Sequence, residues 1–523
     1  ESQFDENTIY IGTDDGLIQI TNDGGKTWNK VDNIPGVPER TYVNQIITSQ
    51  HDRNIAYATF NHHRYGNFRP YVYKTSDGGK TWKAIQNNLP ERGTAYTIAE
   101  DHVNANLLFV GTEFGVFFSV DGGQEWIQLK AGLPTISVKD IAIQKRENDL
   151  VLATFGRGFY VLDDYTALRN FKKEDLSKAA TIYPVKDALM FIESYPLGVR
   201  GKGFQGESFF TTPNPKPGAV FTYYLKDDIK TIKEKRREVE KEKIKKGEVP
   251  YYPSLDSLRL EDEQPAPHLL FTVTDEDNNV VRRIKAPAKK GLNRIVWDFR
   301  YAPFAPIDFT PFDESFVFSS PEIGYMAVPG NYKVSLSKFE DGLYSELVAA
   351  RPFKAVTLNN ATLPATDKKA LEDFSKKVAE LRRVSTATDA YREELVNKTR
   401  FIKQAVIETP KIPVDISQTI TSLEKRLTDV NTKMNGDATL TRREFEALPS
   451  INNRIGGITG ALWGTTAAPT ATFINSYTIA VKQFTPVYNE LKAIGEEIKN
   501  IEHLLEKNKA PYTPGRLPEW KGN

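Results

Sequence analysis

The 523 residues include no cysteine. That excludes disulfides, thiol catalysis and cysteine-ligated metal sites. It fits a bacterial protein, exported or not, and argues against a small disulfide-stapled module. An excess of one charge is also missing. With 69 Lys and Arg against 68 Asp and Glu, the net charge is +1, so the molecule as a whole has no bias toward nucleic acid or an anionic membrane. No apolar run approaches the ~20 residues of a membrane-spanning helix. The six histidines, His51, His62, His63, His102, His268 and His503, show no HExxH or other ligand spacing, and no metal is expected. His62 and His63 would point apart if they lay on a strand. Neither a GxxxxGK(S/T) phosphate loop nor a GxSxG elbow occurs. GKGFQGES (201–208) is rich in glycine but leads into β sequence, so it carries no weight as a nucleotide site and no cofactor is expected. The chain opens Glu1-Ser2-Gln3, and the natural start is expected to have been removed. The missing signal peptide says nothing about export.

What is present is a repeated octet. TNDGGKTW (21–28), TSDGGKTW (75–82) and SVDGGQEW (119–126) recur at intervals of 54 and 44 residues. A catalytic centre is usually unique in a chain, whereas a repeat points to architecture. Short apolar runs surround the octets: Val43 to Ser49, Ile55 to Phe60, Tyr71 to Thr75 and Trp82 to Ile85, then Tyr96 to Ala99, Leu107 to Val110, Val116 to Val120 and Trp126 to Leu129. Four short strands per repeat of about 40–50 residues is the pattern of a β-propeller blade. Each octet falls between strands three and four. Asp23, Asp77 and Asp121 can accept main-chain N–H groups and close the turn, helped by Thr21, Thr75 and Ser119. Gly25, Gly79 and Gly123 tolerate positive φ. Trp28, Trp82 and Trp126 start the fourth strand and can wedge between blades.

The octets resemble the Asp-box of sialidases, sortilin-like receptors and related propellers, where the box lies at the rim, away from the ligand site. GTEFGVFFSVDGGQEW (111–126) and ENDLVLATFGRGFYVLDDYTALR (147–169) are similar to the closing blades of secreted Asp-box (BNR-repeat), sortilin-like propeller proteins of Bacteroidota. Many members of that family are labelled glycosyl hydrolase on the boxes alone. PYTPGRLPEW (511–520) is similar to that family's C-terminus. The resemblance implies the C-terminal half of a longer protein, located outside the cell, on the cell surface or on the periplasmic side of a bacterial envelope. Strand counting agrees. The first blade opens near its second strand (Thr8 to Gly12), and the last has Val138 to Gln144, Leu150 to Thr154 and Phe159 to Leu162 but no fourth. Two full blades flanked by two incomplete ones leave open edges that would be sticky. The missing blades are expected upstream or on a separate chain.

The fold class expected is multidomain and mainly β: a partial Asp-box β-propeller, an Ig-like β-sandwich and a C-terminal α-helical bundle. The boundaries are 1–169 for the closing blades, 170–362 for the sandwich, 363–510 for an antiparallel bundle and 511–523 for a tail. In the sandwich, 269–287 reads as a hairpin around an Asp/Asn-rich turn. GLNRIVWDFRY (291–301) and VPGNYKVSLS (328–337) resemble strands of bacterial Ig-like domains, with Tyr332, Val334 and Leu336 facing inward. The charged run 228–248 reads as a solvated helix with Glu–Lys pairs. The alternative, a basic patch for an acidic polymer or lipid, is weakened by five interleaved glutamates. Helical spacing begins near Thr366 (Leu371, Phe374, Val378, Leu381), resumes at Ile416, Ile420, Leu423 and Leu427, and ends in a stripe from Tyr477 to Leu505. Pro486 should kink that last helix or mark its weak point.

The loops joining strands two and three lie at the blade edge opposite the octets. They are 13–16, 60–70, 112–115 and 154–158, and they carry Asp14, Asp15, His62, His63, Arg64, Tyr65, Arg69, Glu113, Phe114, Phe155 and Arg157. This is the candidate binding face. The alternative is that Asp14, Asp15 and Gly16 only serve turn geometry. A glycosidase needs two carboxylates about 5–10 Å apart, and Asp15 and Glu113 qualify only if their blades face each other. FRP (68–70) echoes a sialidase motif but lacks its Ile and is expected to sit in a third strand. The function expected is non-catalytic binding or scaffolding at the surface or outside the cell. The propeller face would hold a protein or glycan, and the sandwich and bundle would mediate docking. The partners expected are the missing blades and other surface or secreted proteins, with no nucleic acid. The alternative is a glycoside hydrolase whose catalytic carboxylates are partly upstream.

Overall fold

A computed structural model describes residues 1–130, 132–193, 206, 210–313, 321–359, 363–520 and 522. The glycine-rich stretch 201–208 lies outside the described residues except for Gly206. The chain is mainly β, with several antiparallel sheets and a helical C-terminal region.

Four sheets come first. β1 (Ile9–Gly12), β2 (Ile18–Thr21) and β3 (Asn29–Val31) form one. β4 (Tyr42–Thr48), β5 (Ala56–Asn61), β6 (Tyr71–Thr75) and β7 (Lys83–Ala84) form the second. β8 (Ala95–Glu100), β9 (Leu108–Thr112), β10 (Gly115–Ser119) and β11 (Ile127–Leu129) form the third. β12 (Val138–Gln144), β13 (Asp149–Thr154) and β14 (Phe159–Leu162) form the fourth. In each, sequential strands pair antiparallel, as in the blades of a propeller-like fold.

Period-two alternation lets each blade bury both faces. On β6, Tyr71 and Tyr73 enter the cluster shared with the first blade, and Val72 enters the one shared with the third. On β10, Phe117 faces back to the second blade, while Val116 and Phe118 face forward to the fourth. The octets sit between β2 and β3, β6 and β7, and β10 and β11. By that marker β1–β3 take the places of strands two to four, and β12–β14 those of one to three.

The tryptophans divide. Trp82 and Trp126 are buried in the preceding interfaces, and Trp126 Nε1 donates to Ile85 O at 2.7 Å. Trp28 does not wedge between blades. It is 40% exposed, and its Nε1 turns back to Gly25 O at 3.1 Å. The reason is that Trp82 packs on Tyr10, Ile18 and Ile20 of the blade before it, whereas Trp28 enters no core cluster among the described residues. The second glycine follows the same rule. A Cβ at Gly79 would come within 2.1 Å of Ile20, while at Gly25 the nearest atom is 3.6 Å away, on Trp28 itself.

The remaining elements are α1 (Thr166–Arg169), β15 (Ala180–Ile182), β16 (Ala188–Met190), β17 (Ala219–Leu225), α2 (Ile232–Lys245), α3 (Leu255–Glu263), β18 (His268–Thr274), β19 (Val280–Ala286), β20 (Gly291–Trp297), β21 (Gly330–Glu340), β22 (Leu343–Thr357), α4 (Lys368–Glu408), α5 (Ile416–Asn435), α6 (Ala438–Thr441), α7 (Ile451–Leu462) and α8 (Ala471–Lys507). The chain divides into two compact units. The first is Glu1–Lys186, Phe221–Pro267 and Ala288–Arg294; the second is Asp187–Val220, His268–Pro287 and Ile295–Asn523.

In the first unit, Tyr165 and Leu168 close the last blade cluster. Arg169 grips the fully buried Asp101 with Nε at 2.8 Å and Nη2 at 2.7 Å. Burial alone would raise the Asp101 carboxyl, but the Arg169 and Tyr165 bonds hold it below its ordinary value. Helix α2 buries none of its residues. It starts at a capping box made by Thr231 and Glu234, and Arg236 pairs with Glu240 and with Glu261 of α3. Within the run 228–248, residues 232–245 thus form a solvated helix tied down by ion pairs.

The second unit holds the five-stranded sheet β16-β22-β21-β18-β19, in which β16 is parallel to β22. Tyr332, Val334 and Leu336 are buried there, and Trp297 packs edge-on against Tyr332 and Phe353. β20 does not join β18 and β19 but belongs to the order β15-β17-β20. Helices α4, α5, α7 and α8 share one core. Helix α8 runs on through Pro486. Pro486 and Lys482 are both exposed, so the carbonyl that the proline leaves unpaired faces water, where its cost is small. Among the described residues no helix is long and apolar enough to cross a membrane.

Candidate functional site

In an antiparallel meander, the turn between strands two and three emerges at the same edge as the lead-in to strand one. Main-chain bonds tie these loops together: Val43 N to Thr13 O (3.1 Å), Gly93 N to Phe68 O (2.9 Å), Glu113 N to Thr94 O (3.0 Å) and Phe155 N to Ser137 O (2.9 Å). The loops of this edge are thereby held before any ligand arrives.

A cavity of about 400 Å³ opens among them. The first-blade loop supplies Asp14 and Asp15, and the second-blade loop supplies His63, Arg64 and Tyr65. The rest of the lining, Arg40, Tyr42, Asn44 and Asn61, was not foreseen. Pairing register explains it: Tyr42 lies opposite Asn61 where β4 begins and β5 ends. Gly16, with φ 95°, lets the 13–16 turn lie against Thr41, whose carbonyl would be 2.9 Å from a Cβ there. Thr13 Oγ1 donates to Asp15, so Asp15 closes its own turn as well as lining the cavity. Arg40 holds φ 56°, a region uncommon for a residue with a side chain.

His62 stands just behind the cavity. Thr41 Oγ1 donates to Pro38 O at 2.6 Å, so its 2.8 Å contact with His62 Nδ1 is a bond donated by the imidazole. Burial holds the His62 imidazole below its ordinary pKa, which favours the neutral ring. That ring stacks on Tyr65 at 4.6 Å. The two histidines do not alternate along a strand. His63 opens a short 3-10 turn, His63–Tyr65, where Asn61 Oδ1 accepts from the His63 main chain at 3.1 Å.

Further along the edge, Lys139 Nζ lies 3.3 Å from the Tyr96 ring centroid, 5.7 Å from that of Phe155 and 3.9 Å from Glu113 Oε2. Tyr96 OH donates to Glu113. Burial lowers the Lys139 ammonium pKa, against the pull of Glu113. Phe114 and Phe155 stand exposed beside this cluster. Asn44 donates to Tyr96 O, linking the cluster to the cavity. Lys139 and Tyr96 were also not foreseen, because their role depends on which strand-one residues turn toward this edge.

Not every candidate converges. Arg69 lies in the loop before β6, not in a strand, and lines a separate hollow with Glu91 and Arg92. Arg157 is exposed at the tip of its loop. Asp15 lines the cavity, whereas Glu113 is taken up by Tyr96 and Lys139. Among the described residues no three His, Asp or Glu gather as a metal-ligand set.

The octet edge contrasts with this. Asp77 accepts from Thr75 Oγ1 (2.9 Å), Thr81 N (2.9 Å) and Thr81 Oγ1 (2.6 Å), and Gly79 N donates to Thr75 Oγ1 (2.9 Å). Asp23 repeats the set with Thr21 and Thr27. Asp121 takes Ser119 Oγ and the main chain of Gln124 and Glu125. The Thr81 bonds lower Asp77 to about 2, and the Thr27 bonds do the same for Asp23.

No family model matches the chain. The vacuolar protein sorting/targeting protein PEP1 of Saccharomyces cerevisiae is 23% identical over 209 residues, 31% of this chain and 13% of that protein. A GH74 enzyme structure from Niastella koreensis is 15% identical, covering 66% of this chain and 48% of its own, with a TM-score of 0.25. PorZ, a bacterial surface component of the type-IX secretion system of Porphyromonas gingivalis, is 14% identical, covering 67% of this chain and 45% of its own, with a TM-score of 0.24. The chain thus spans about an eighth of the curated relative it matches and under half of either structure.

Proposed function

We propose that this chain is a non-catalytic binding module. On this reading the strand-two-to-three edge of its blades receives a protein segment or a glycan, and the second unit serves docking. The observation that carries it is the cavity at 13–16, 40–44 and 61–65, where two carboxylates, two guanidiniums and tyrosine rings meet on loops fixed by main-chain bonds. Pre-formed concave sites with a few fixed polar groups are where ligands bind. The stretch shared with a sorting and targeting protein supports recognition over chemistry.

The finer assignment is part of the same proposal. The octets are Asp-boxes of a BNR-repeat, sortilin-like Bacteroidota protein, secreted or on the envelope surface. Residues 1–169 are its closing blades, 170–362 an Ig-like sandwich, 363–510 the bundle and 511–523 a tail. Phe159 and Val161, 77% and 54% exposed, and Trp28 on the first blade are the faces that further blades would cover, supplied upstream or in trans.

The test is quantitative affinity capture from surface and secreted fractions of the source organism. A specific partner should be retained by the wild type and reduced at least tenfold by Arg64→Ala, Tyr65→Ala or Phe114→Ala. Equal retention by all three variants would remove this edge as the site.

A further inference from the structure

Strand one of the second, third and fourth blades carries the same irregularity. The pairing register slips between Val43 and Gln45 in β4, between Ala95 and Thr97 in β8, and between Val138 and Asp140 in β12. Each slip leaves one extra residue: Asn44, Tyr96 and Lys139. A β-bulge of this kind bends its strand and re-aims a side chain. Three bulges at equivalent positions are a repeated device, and they share a consequence.

All three side chains serve the edge that holds the candidate site. Asn44 lines the cavity and donates to Tyr96 O. Tyr96 OH donates to Glu113 in the third-blade loop. Lys139 Nζ stands 3.3 Å from the Tyr96 ring centroid and 5.7 Å from that of Phe155 in the fourth-blade loop. Contact thus passes from the cavity at the first two blades to Phe155 at the fourth. The residues that follow the bulges brace the strands. Gln45 Oε1 accepts from Ile98 N at 2.7 Å, and Thr97 Oγ1 donates to Asp140 Oδ1 at 3.4 Å.

The two ends of this row differ. At the cavity, Arg40 and Arg64 have no ion-pair or side-chain hydrogen-bond partner among the described residues. Of the two carboxylates there, Asp15 is taken up by Thr13, which leaves Asp14 against two guanidiniums. A guanidinium presents a fork that fits a carboxylate. Arg40 is also held at φ 56°, and such strain collects at ligand clamps. At the far end Phe114 and Phe155 are 46% and 73% exposed, and a ring with no polar atom suits an apolar side chain. Arginine and aromatic rings are enriched where proteins bind proteins. Stacked sheets lie about 10 Å apart. Two blade steps therefore separate the ends by about 20 Å, or about six residues of extended chain at ~3.3 Å each.

Resting on the reading of this edge as a binding site, we propose that it holds an extended polypeptide, with a carboxylate side chain at Arg40 and Arg64 and an apolar side chain, about six residues away, at Phe114 and Phe155. The full chain is titrated with labelled peptides that carry a Glu-Glu pair and a Phe-Leu pair, separated by spacers of increasing length. Controls replace Glu by Lys or Gln, or Phe-Leu by Ser-Ser, and a parallel array carries neutral and acidic oligosaccharides. Affinity should peak at a spacer of about four to six residues. It should fall at least tenfold when the spacer is removed or Glu becomes Lys. Arg64→Ala should weaken the Glu peptide at least tenfold and the Gln peptide little. Phe155→Ala should weaken the Phe-Leu peptide and spare the Ser-Ser control. Both side chains are exposed, so melting temperatures should hold. No peptide binding, a flat spacer series, equal binding of the Lys peptides, or oligosaccharide binding that Arg64→Ala abolishes would overturn the proposal. If Arg64→Ala still released the captured partner, those results would leave the edge a binding site and remove only this ligand class and spacing.

Discussion

At one edge of the blades, Asp77 spends its carboxylate on Thr75 and Thr81, and Gly79 packs against the blade before. At the other edge, Tyr65 and Phe155 are 64% and 73% exposed, and Asp14, Arg40 and Arg64 surround a cavity. The same strands join both edges. One uses an acid, hydroxyls and an aromatic ring to fasten the fold, and the other leaves such groups turned outward. Residue types that suggest a site therefore mean little until their hydrogen bonds are traced. An acid whose acceptor positions are filled by its own turn has little left for a ligand.

The contrast can be broken at the fastening edge first. Trp82→Ala should cost about 3–5 kcal/mol, because it empties a buried position between two blades. Trp28→Ala should cost under about 1 kcal/mol. Urea unfolding of both variants checks this, and equal losses would contradict the burial difference. Asp77→Ala should cost about 1 kcal/mol, as for a lost cap, while leaving ligand affinity unchanged at equal folded fraction.

Acid should act at the same edge. The folded carboxyls of Asp23 and Asp77 titrate near 2, below the ordinary 3.8. Their contribution to stability is therefore present above about pH 4 and lost as pH falls toward 2. Melting temperature should fall through that window, and Asp77→Asn should flatten the fall. The smallest effect is expected at the other edge. Arg64→Ala and Tyr65→Ala should shift unfolding by no more than about 0.5 kcal/mol, because both side chains are exposed.

How much was legible follows the same division. The octets and period-two runs placed β4–β6, β8–β10 and β12–β14 to within a residue or two, because turn chemistry and alternation are local. The loops of the candidate face were legible as loops. What they gather was not: Arg40, Tyr42 and Asn44 come to the cavity by register, and Lys139 meets Tyr96 across two blades. The helical spacings read from the sequence pass over α7, where Ile451, Ile455, Ile458 and Leu462 keep helical spacing and are buried, and where Gly456, Gly457 and Gly460 lower helix propensity. Trp28 was misjudged because its octet matches that of Trp82, and burial depends on a neighbouring blade that the octet does not encode.

The most direct measurement is oxidative footprinting of the chain with its captured partner bound and free. The account predicts protection of Tyr42, Tyr65, Phe114 and Phe155, with the octets at 75–82 and 119–126 unchanged. Protection of the octet edge with Tyr65 and Phe155 still reactive would contradict it.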